Sequence, residues 1–170
     1  RIEAAHRRFL LVLATGTGKT RVAAALVELL QRKERIQRVL FLADRRELVK
    51  QALGAFKDHV PGAPRAWIEG GSFDNDAQVQ FATYPGMMSL YQKLSPGYFD
   101  LIIADESHRS IYSRYRAIFD HFDAIKLGLT ATPTDFLDHN TFELFDCADG
   151  NPTFYYGYDE AVRDKHLVPY

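Results

Sequence analysis

The chain has 170 residues, a formal net charge of −1 and 46% hydrophobic residues. Its length suits one domain, and its apolar content excludes a disordered chain because enough side chains are available for a buried core. The near-neutral charge excludes a uniformly basic surface, so any nucleic-acid binding must use local patches. Cys147 is the single cysteine, and no apolar run approaches the roughly 18 residues that span a bilayer. These features predict a cytoplasmic protein with no membrane partner.

Short apolar segments alternate with amphipathic helical patterns along the chain. The apolar segments predict six strands, at Phe9–Ala14, Arg38–Ala43, Ala66–Glu69, Val79–Thr83, Asp100–Ala104 and Ala124–Leu129. Apolar residues at helical spacing predict helices at Lys19–Leu30 and Arg46–Phe56, with a third around Tyr115–Phe122. Several strands are apolar on consecutive residues, as in a parallel sheet with both faces covered. The pattern predicts a doubly wound α/β domain with a mostly parallel sheet and helices on both faces.

The residues after Pro133 differ in character from those before it. Polar and loop-forming residues lead into an aromatic run, Phe154–Tyr158, and a predicted short helix at Asp159–Lys165. We interpret this tail as a connection leaving the domain, rather than as a further layer of the sheet.

The segment between the first predicted strand and the first predicted helix indicates a phosphate-binding loop. Glycine lets backbone amides approach phosphate without a Cβ clash, and the following helix adds its free N-terminal amides. Lys19 is placed to reach the β- and γ-phosphates of ATP, and Thr20 to ligate Mg²⁺. The strict motif begins with glycine, where this chain has Leu13. The predicted nucleotide-binding residues are Thr15, Gly16, Thr17, Gly18, Lys19 and Thr20.

Two adjacent acids, Asp105 and Glu106, directly follow the fifth predicted strand. Open α/β sheets bind their ligands at the carboxyl ends of the strands, where this pair lies. Asp105 is predicted to hold Mg²⁺ beside Thr20, and Glu106 to orient the water that attacks the γ-phosphate. With Lys19, they form the predicted catalytic set. A solvated strand end is the alternative for the acid pair taken alone.

Several segments resemble those of known motor proteins. Ala14–Thr20, Asp105–His108 and Leu129–Pro133 resemble motifs I, II and III of superfamily-two helicases and translocases. Asp105–Tyr112 and Leu167–Tyr170 more specifically resemble the R (motor and restriction) subunit of type I restriction-modification enzymes. The resemblance implies a RecA-like P-loop domain, the first lobe of a two-lobe motor that couples ATP hydrolysis to movement along duplex DNA.

This resemblance also implies boundaries and partners. Residues 1–133 correspond to the first lobe, and residues 134–170 to its end and the connection towards a second lobe. The implied partners are duplex DNA, a second RecA-like lobe and a nuclease domain of the same parent chain, and the modification and specificity subunits of a prokaryotic restriction complex.

The resemblance assigns further site residues, each with a simpler alternative. Arg45 and Arg46 correspond to a motif that contacts the nucleic-acid backbone, although they could instead pair with Asp44 or Glu47 on the surface. The next backbone-contacting motif includes Thr83 and Tyr84, and ordinary packing is the alternative for Tyr84. The residues implied to couple nucleotide state to lobe movement are His108, Thr130 and Thr132. Capping of a strand end is the alternative for the two threonines.

Two other functions remain open on the residues alone. The chain could belong to another superfamily-two helicase acting on RNA or single-stranded DNA. It could also be a nucleotide-gated nucleic-acid-binding module whose role is assembly rather than movement. The nucleic acid that stimulates ATP hydrolysis, and the need for Glu106, would distinguish the three.

Overall fold

The structure, a computed structural model, describes residues 6–106, 109–132, 139–147 and 150–168. The strands of these residues are β1 (Arg8–Leu13), β2 (Val39–Ala43), β3 (Arg65–Trp67), β4 (Val79–Thr83), β5 (Leu101–Asp105), β6 (Ile125–Thr130) and β7 (Phe154–Tyr156). The α-helices are α1 (Lys19–Arg32), α2 (Arg46–His59), α3 (Tyr84–Met88), α4 (Arg109–His121), α5 (His139–Leu144) and α6 (Tyr158–Arg163).

The strands form one sheet in the order β3-β4-β2-β5-β6-β1-β7, and every neighbouring pair is parallel. Each of the six predicted strands is present: Val79–Thr83 has the predicted boundaries, and the other five differ by one or two residues. The predicted helices that begin at Lys19 and Arg46 are also present, and the third, predicted around Tyr115–Phe122, overlaps α4, which ends at His121. The α/β class and the parallel sheet are therefore confirmed.

Side chains on consecutive strand residues enter two different cores, which is why the central strands are apolar throughout. In β2, Phe41 packs with the cluster under α1 and α2, whereas Leu40 and Leu42 pack with the cluster under α3, α4 and α5. Phe41 and Phe56 of α2 meet edge to face, with ring centroids 5.8 Å apart. Helices therefore cover both faces of the sheet, as the sequence predicts.

One part of the tail adds to the sheet, which corrects our interpretation of residues after 133. Phe154–Tyr156 forms β7 and pairs with β1, in register from Leu11↔Phe154 to Leu13↔Tyr156. Ala14 extends this contact by donating its amide to the carbonyl of Tyr156 at 3.0 Å. The strand is short and its first two side chains are about half exposed. It consequently lacks the apolar signal that identifies the buried strands, and its pairing satisfies the backbone groups at the edge of β1.

None of the helices in the described ranges is both long enough and apolar enough to cross a membrane.

Gly128 in β6 lies where the sheet and the residue after α5 approach closely. A Cβ at this position would lie 2.5–2.9 Å from ring atoms of Phe145, which is itself buried. We expect Gly128→Ala to lower the free energy of unfolding by about 1–3 kcal/mol, because the ring has to move within a packed core. Urea unfolding of the 170-residue chain, followed through the fluorescence of its single tryptophan, Trp67, measures this change.

Gly62→Ala is the matched control for this prediction. A Cβ at Gly62 meets no heavy atom within 4 Å, so its effect should stay within about 0.5 kcal/mol. Equal effects of the two substitutions would contradict the close approach at Gly128.

Candidate nucleotide-binding site

Two glycines give the loop between β1 and α1 its shape. Gly16 and Gly18 have φ angles of 83° and 84°, in the left-handed region that side chains with a Cβ disfavour. Thr17 closes the turn, since its hydroxyl donates to the carbonyl of Ala14 at 2.6 Å. Gly18 is the N-cap of α1, and no side chain caps that helix end. The 14-residue helix therefore directs its first amides and its positive dipole end towards the space above the loop.

An ion pair joins this loop to the carboxyl end of β5. Lys19 Nζ lies 2.9 Å from Glu106 Oε1, and the two side chains are 14% and 32% exposed. The partners are 87 positions apart in the chain. The contact places the predicted phosphate loop and the predicted acid pair in the same site, so the acid pair is not an unrelated solvated strand end.

Burial makes Asp105 an unusual carboxyl group. The residue is 6% exposed, and its pKa is raised from 3.8 to about 6, mainly by desolvation and secondarily by the neighbouring charge of Glu106. Lys19 acts in the opposite direction and lowers this pKa, as does a hydrogen bond of 3.1 Å from the Glu106 amide to Asp105 Oδ1. Glu106 itself has a left-handed backbone, with φ of 53°. Buried carboxylates with displaced pKa values and a backbone under strain are typical of functional sites.

A cleft of about 680 Å³ opens between these groups. The predicted residues that line it are Gly16, Thr17, Gly18, Lys19, Thr20, Asp105 and Glu106. Thr15 does not join them; with Ala131 it lines a neighbouring groove beside β7. The sequence pattern thus identifies most of the cleft wall formed by the loop and by the end of β5.

Other residues of the cleft wall are absent from the sequence predictions: Arg21, Leu48, Gln51, Ala55 and His166. Leu48, Gln51 and Ala55 recur at helical spacing and so share one face of α2. That spacing is a signal in the sequence, but only the fold shows that this face borders the cleft. His166 arrives from the tail, where the next residue, Leu167, would lie 3.3 Å from a Cβ on Gly16.

The predicted coupling residues lie partly outside this cleft. Thr130 is fully buried at the end of β6, and its hydroxyl accepts a hydrogen bond from the Thr132 amide at 3.1 Å. This contact is the strand-end cap that the sequence left as an alternative, and it does not exclude a coupling role. His108 lies outside the described residues. Coupling by these three residues stays a prediction.

The two arginines predicted to contact nucleic acid are exposed at the carboxyl edge of β2. Arg45 lies 3.8 Å from Asp44, whereas Arg46 pairs with Glu69 instead of Glu47 and stacks over Trp67 at 5.1 Å. The alternative of surface ion pairs is therefore realised, with a different partner for Arg46. Their exposure also leaves them accessible, so contact with nucleic acid stays a prediction.

The other two candidates, Thr83 and Tyr84, differ from each other. Thr83 caps α3 by accepting a hydrogen bond from the Gly86 amide at 3.2 Å, and it is partly exposed. Tyr84 is fully buried, and its hydroxyl donates to the carbonyl of Asp105 at 2.9 Å. The structure corrects the assignment of Tyr84, because a buried ring at this position packs in the core and does not meet nucleic acid.

The residues of the cleft fit a nucleotide and its metal ion. Left-handed glycines and an uncapped helix N-terminus match the needs of a phosphate chain. The oxygen donors of Thr20 and Asp105 line the same cleft, and oxygen is the ligand atom that Mg²⁺ prefers. Lys19 and Glu106 complete a set that can bind phosphate and orient water.

Comparison with known proteins identifies the family. The model of the family described as "Type III restriction enzyme, res subunit" matches residues 1–135. The EcoAI endonuclease subunit of a type I restriction enzyme from Escherichia coli is 35% identical over 97% of the chain. The corresponding EcoKI subunit from Escherichia coli strain K12 is 34% identical over 96% of the chain. The chain spans only 21% and 16% of these two relatives, respectively.

Solved structures show the same fold. A fragment described as an HsdR subunit of a type I restriction enzyme from Vibrio vulnificus YJ016 superposes with a TM-score of 0.70 and 30% identity, over 94% of this chain and 28% of that one. The SWI2/SNF2 ATPase core from Sulfolobus solfataricus, solved with double-stranded DNA, gives a TM-score of 0.69 at 14% identity, over 92% and 34%. The fold is thus a RecA-like lobe, and the chain belongs to the restriction-enzyme res subunit family, with type I endonuclease subunits among its relatives.

Proposed function

We propose that the chain is the ATP-binding and hydrolysing lobe of a DNA translocase, within the R subunit of a type I restriction endonuclease. The observation that carries this proposal is the Lys19–Glu106 ion pair, which joins the phosphate loop and the carboxylates across one cleft. The family description names type III enzymes, but the type I subunits match almost the whole chain at 34–35% identity, and this favours the type I assignment.

The ion pair suggests how the chain's own groups respond to ATP. Lys19 is held by one carboxylate oxygen, and a γ-phosphate entering the cleft would compete with that oxygen for the ammonium group. Transfer of Lys19 to the phosphate frees Glu106 to accept a hydrogen bond from the attacking water and orient it towards phosphorus. The left-handed glycines meanwhile leave the loop amides open to the phosphate oxygens.

Thr20 and Asp105 are the residues we assign to Mg²⁺. When bound there, the metal would neutralise charge that develops on the phosphate oxygens. Asp105 is suited to this role because its carboxylate is largely withdrawn from solvent and faces the same cleft as the loop. Its orientation is set by the amide of Glu106, which donates to Oδ1.

We propose that the lobe moves along duplex DNA. The exposed side chains of Arg45 and Arg46, together with Thr83, would contact the sugar-phosphate backbone of the DNA. The partners would be a second RecA-like lobe and a nuclease domain of the parent chain, together with modification and specificity subunits in a prokaryotic cytoplasm. The arginine that completes charge stabilisation would come from the second lobe, where such a residue is worth about 10³–10⁵ in rate. We therefore expect this lobe alone to bind ATP weakly and to hydrolyse it very slowly.

The central test is ATP hydrolysis by the full-length parent protein with duplex DNA, single-stranded DNA, RNA or no nucleic acid. We expect duplex DNA to stimulate hydrolysis and Lys19→Ala to abolish it. For Glu106→Gln we expect kcat to fall by about 10²–10⁴-fold while ATP binding is retained, because only the water-orienting carboxylate is lost. A steady-state phosphate-release assay, combined with titration of a fluorescent ATP analogue, separates turnover from binding.

Glu28→Gln is the matched control, since it removes a surface carboxylate that is paired with Arg32 at 2.6 Å and is not among the described residues lining the cleft. It should leave turnover unchanged. Stimulation by RNA or single strands alone would instead favour another superfamily-two helicase. Unimpaired biological function of Glu106→Gln would favour the nucleotide-gated binding module.

A buried carboxylate kept for chemistry should cost folding free energy. The folded chain releases the Asp105 proton near pH 6 and the unfolded chain near 3.8, so the folded state binds more protons between these values and loses stability as the pH rises. Above pH 6 the full cost, about 2–3 kcal/mol, is present. We expect Asp105→Asn to stabilise the chain by up to this amount at pH 8, and progressively less as the pH falls from 6 to 4.

Urea unfolding of the 170-residue chain, monitored by Trp67 fluorescence at pH 4, 5, 6 and 8, measures this dependence. Asp58→Asn, in the exposed last turn of α2, is the matched control and should change stability by no more than about 0.5 kcal/mol at any of these pH values. A gain for Asp105→Asn that is the same at pH 4 and pH 8 would argue against the buried charge as its cause.

A further inference from the structure

Tyr84 lies beneath the carboxylate pair although it belongs to a different strand connection. It is the first residue of α3, directly after β4, and it is fully buried. Its hydroxyl crosses to β5 and donates to the carbonyl oxygen of Asp105 at 2.9 Å. The N-terminus of α3 is capped separately, by the side chain of Thr83. The hydroxyl therefore acts on β5 rather than on its own helix.

The peptide unit that receives this bond also controls the Asp105 carboxylate. The carbonyl of Asp105 and the amide of Glu106 belong to the same planar group. The Tyr84 hydroxyl donates to the oxygen of this peptide group. The N–H of the same group, which belongs to Glu106, donates to Asp105 Oδ1 at 3.1 Å. A rotation of this peptide would break both hydrogen bonds together. The Tyr84 hydroxyl thereby fixes the direction from which the amide holds the carboxylate.

The same peptide leads into the strained residue of the site. Glu106 has φ of 53°, a conformation that costs a residue with a Cβ about 1 kcal/mol or more and persists only when its surroundings hold it. The bond from Tyr84 lies immediately before this residue, where it opposes relaxation of the backbone. The position of the Glu106 carboxylate, and its contact with Lys19, consequently depends on the anchored peptide.

The Tyr84 ring is itself held in place. It stacks on Tyr115 of α4, with ring centroids 5.4 Å apart and an angle of 16° between the planes. Phe119, one turn further along α4, packs at a centroid distance of 6.4 Å. A ring held by packing presents its hydroxyl at a fixed point, which is what orienting a neighbouring group requires.

We propose that Tyr84 is a positioning residue for the nucleotide site: its buried hydroxyl anchors the Asp105–Glu106 peptide and so orients the metal-binding carboxylate and the water-orienting glutamate. This inference rests on the proposed function, because it assigns Tyr84 a role at the same site. Tyr84 is not among the described residues that line the cleft, so the role that we assign to it runs through the peptide that it holds.

Tyr84→Phe in the full-length parent protein tests this role, because it removes the hydroxyl and keeps the stacked ring. Binding of a fluorescent ATP analogue is titrated with Mg²⁺. We expect the half-saturating Mg²⁺ concentration to rise by about five- to tenfold, corresponding to the loss of one buried hydrogen bond. Binding of the analogue without Mg²⁺ should change by less than twofold, since the phosphate loop is untouched. Hydrogen–deuterium exchange at the Glu106 amide should become at least fivefold faster.

Tyr98→Phe is the matched control. Its hydroxyl is hydrogen-bonded too, accepting from Gln80 Nε2 at 3.3 Å and donating to Asn75 Oδ1 at 3.0 Å, but none of these residues lines the cleft. A thermal melt of both variants compares the general cost of losing a tyrosine hydroxyl. The control should leave the Mg²⁺ dependence and the exchange of the Glu106 amide unchanged.

The outcomes separate this inference from the proposed function. A rise in half-saturating Mg²⁺ for Tyr84→Phe alone supports the positioning role. Unchanged Mg²⁺ dependence, or equal shifts in both variants, overturns it while leaving the proposed ATPase intact. Failure of the unaltered protein to bind the ATP analogue at all overturns the proposed function, and the positioning role with it.

Discussion

The site depends on the parallel alignment of β1, β6 and β5. Leu129 of β6 pairs with Leu11 on one side and with Asp105 on the other, so these three residues lie at one level of the sheet. Because all three strands run the same way, the loop that follows β1 and the acids that end β5 emerge at the same edge. The Lys19–Glu106 contact, between residues 87 positions apart, is a direct consequence of that register. A shift of β5 by one residue against β6 would turn Asp105 towards the opposite face.

Electrostatics at this edge favour ligand binding over stability. Asp105 is buried beside a second carboxylate, and both burial and the charge of Glu106 raise its pKa. Lys19 offsets part of this cost, but a single ammonium group serves two acids. A polyphosphate with a divalent cation brings both signs of charge to the cleft and can satisfy all three side chains. The arrangement is therefore unfavourable for folding alone and explicable by the ligands that the cleft is suited to hold.

The sequence predicts the parts of the site that carry a local signal. The glycines and Lys19 are adjacent in the chain and need specific backbone angles, while Asp105 and Glu106 follow an unbroken apolar run. β7 is not predictable in this way, since three aromatic residues, two of them about half exposed, become a strand only through the free edge of β1. The contribution of His166 to the cleft follows from that pairing. Likewise, α2 shows an apolar face in the sequence, but which residues border the cleft depends on how it packs beside α1.

Thr83 and Tyr84 show why similarity of a motif does not fix the role of each residue in it. They are neighbours in the chain, but the first caps a helix near the surface and the second reaches under β5 to hold a carbonyl. Residue type is compatible with either role, because threonine and tyrosine both offer a hydroxyl to whatever lies nearby. Burial decides between them: a group withdrawn from solvent can act only on its contacts within the fold, and for Tyr84 those contacts include the peptide between the two acids. Tyr84 directly follows the partly exposed Thr83, so its one hydrogen bond to the Asp105 carbonyl connects the start of α3 to the two acids of the cleft.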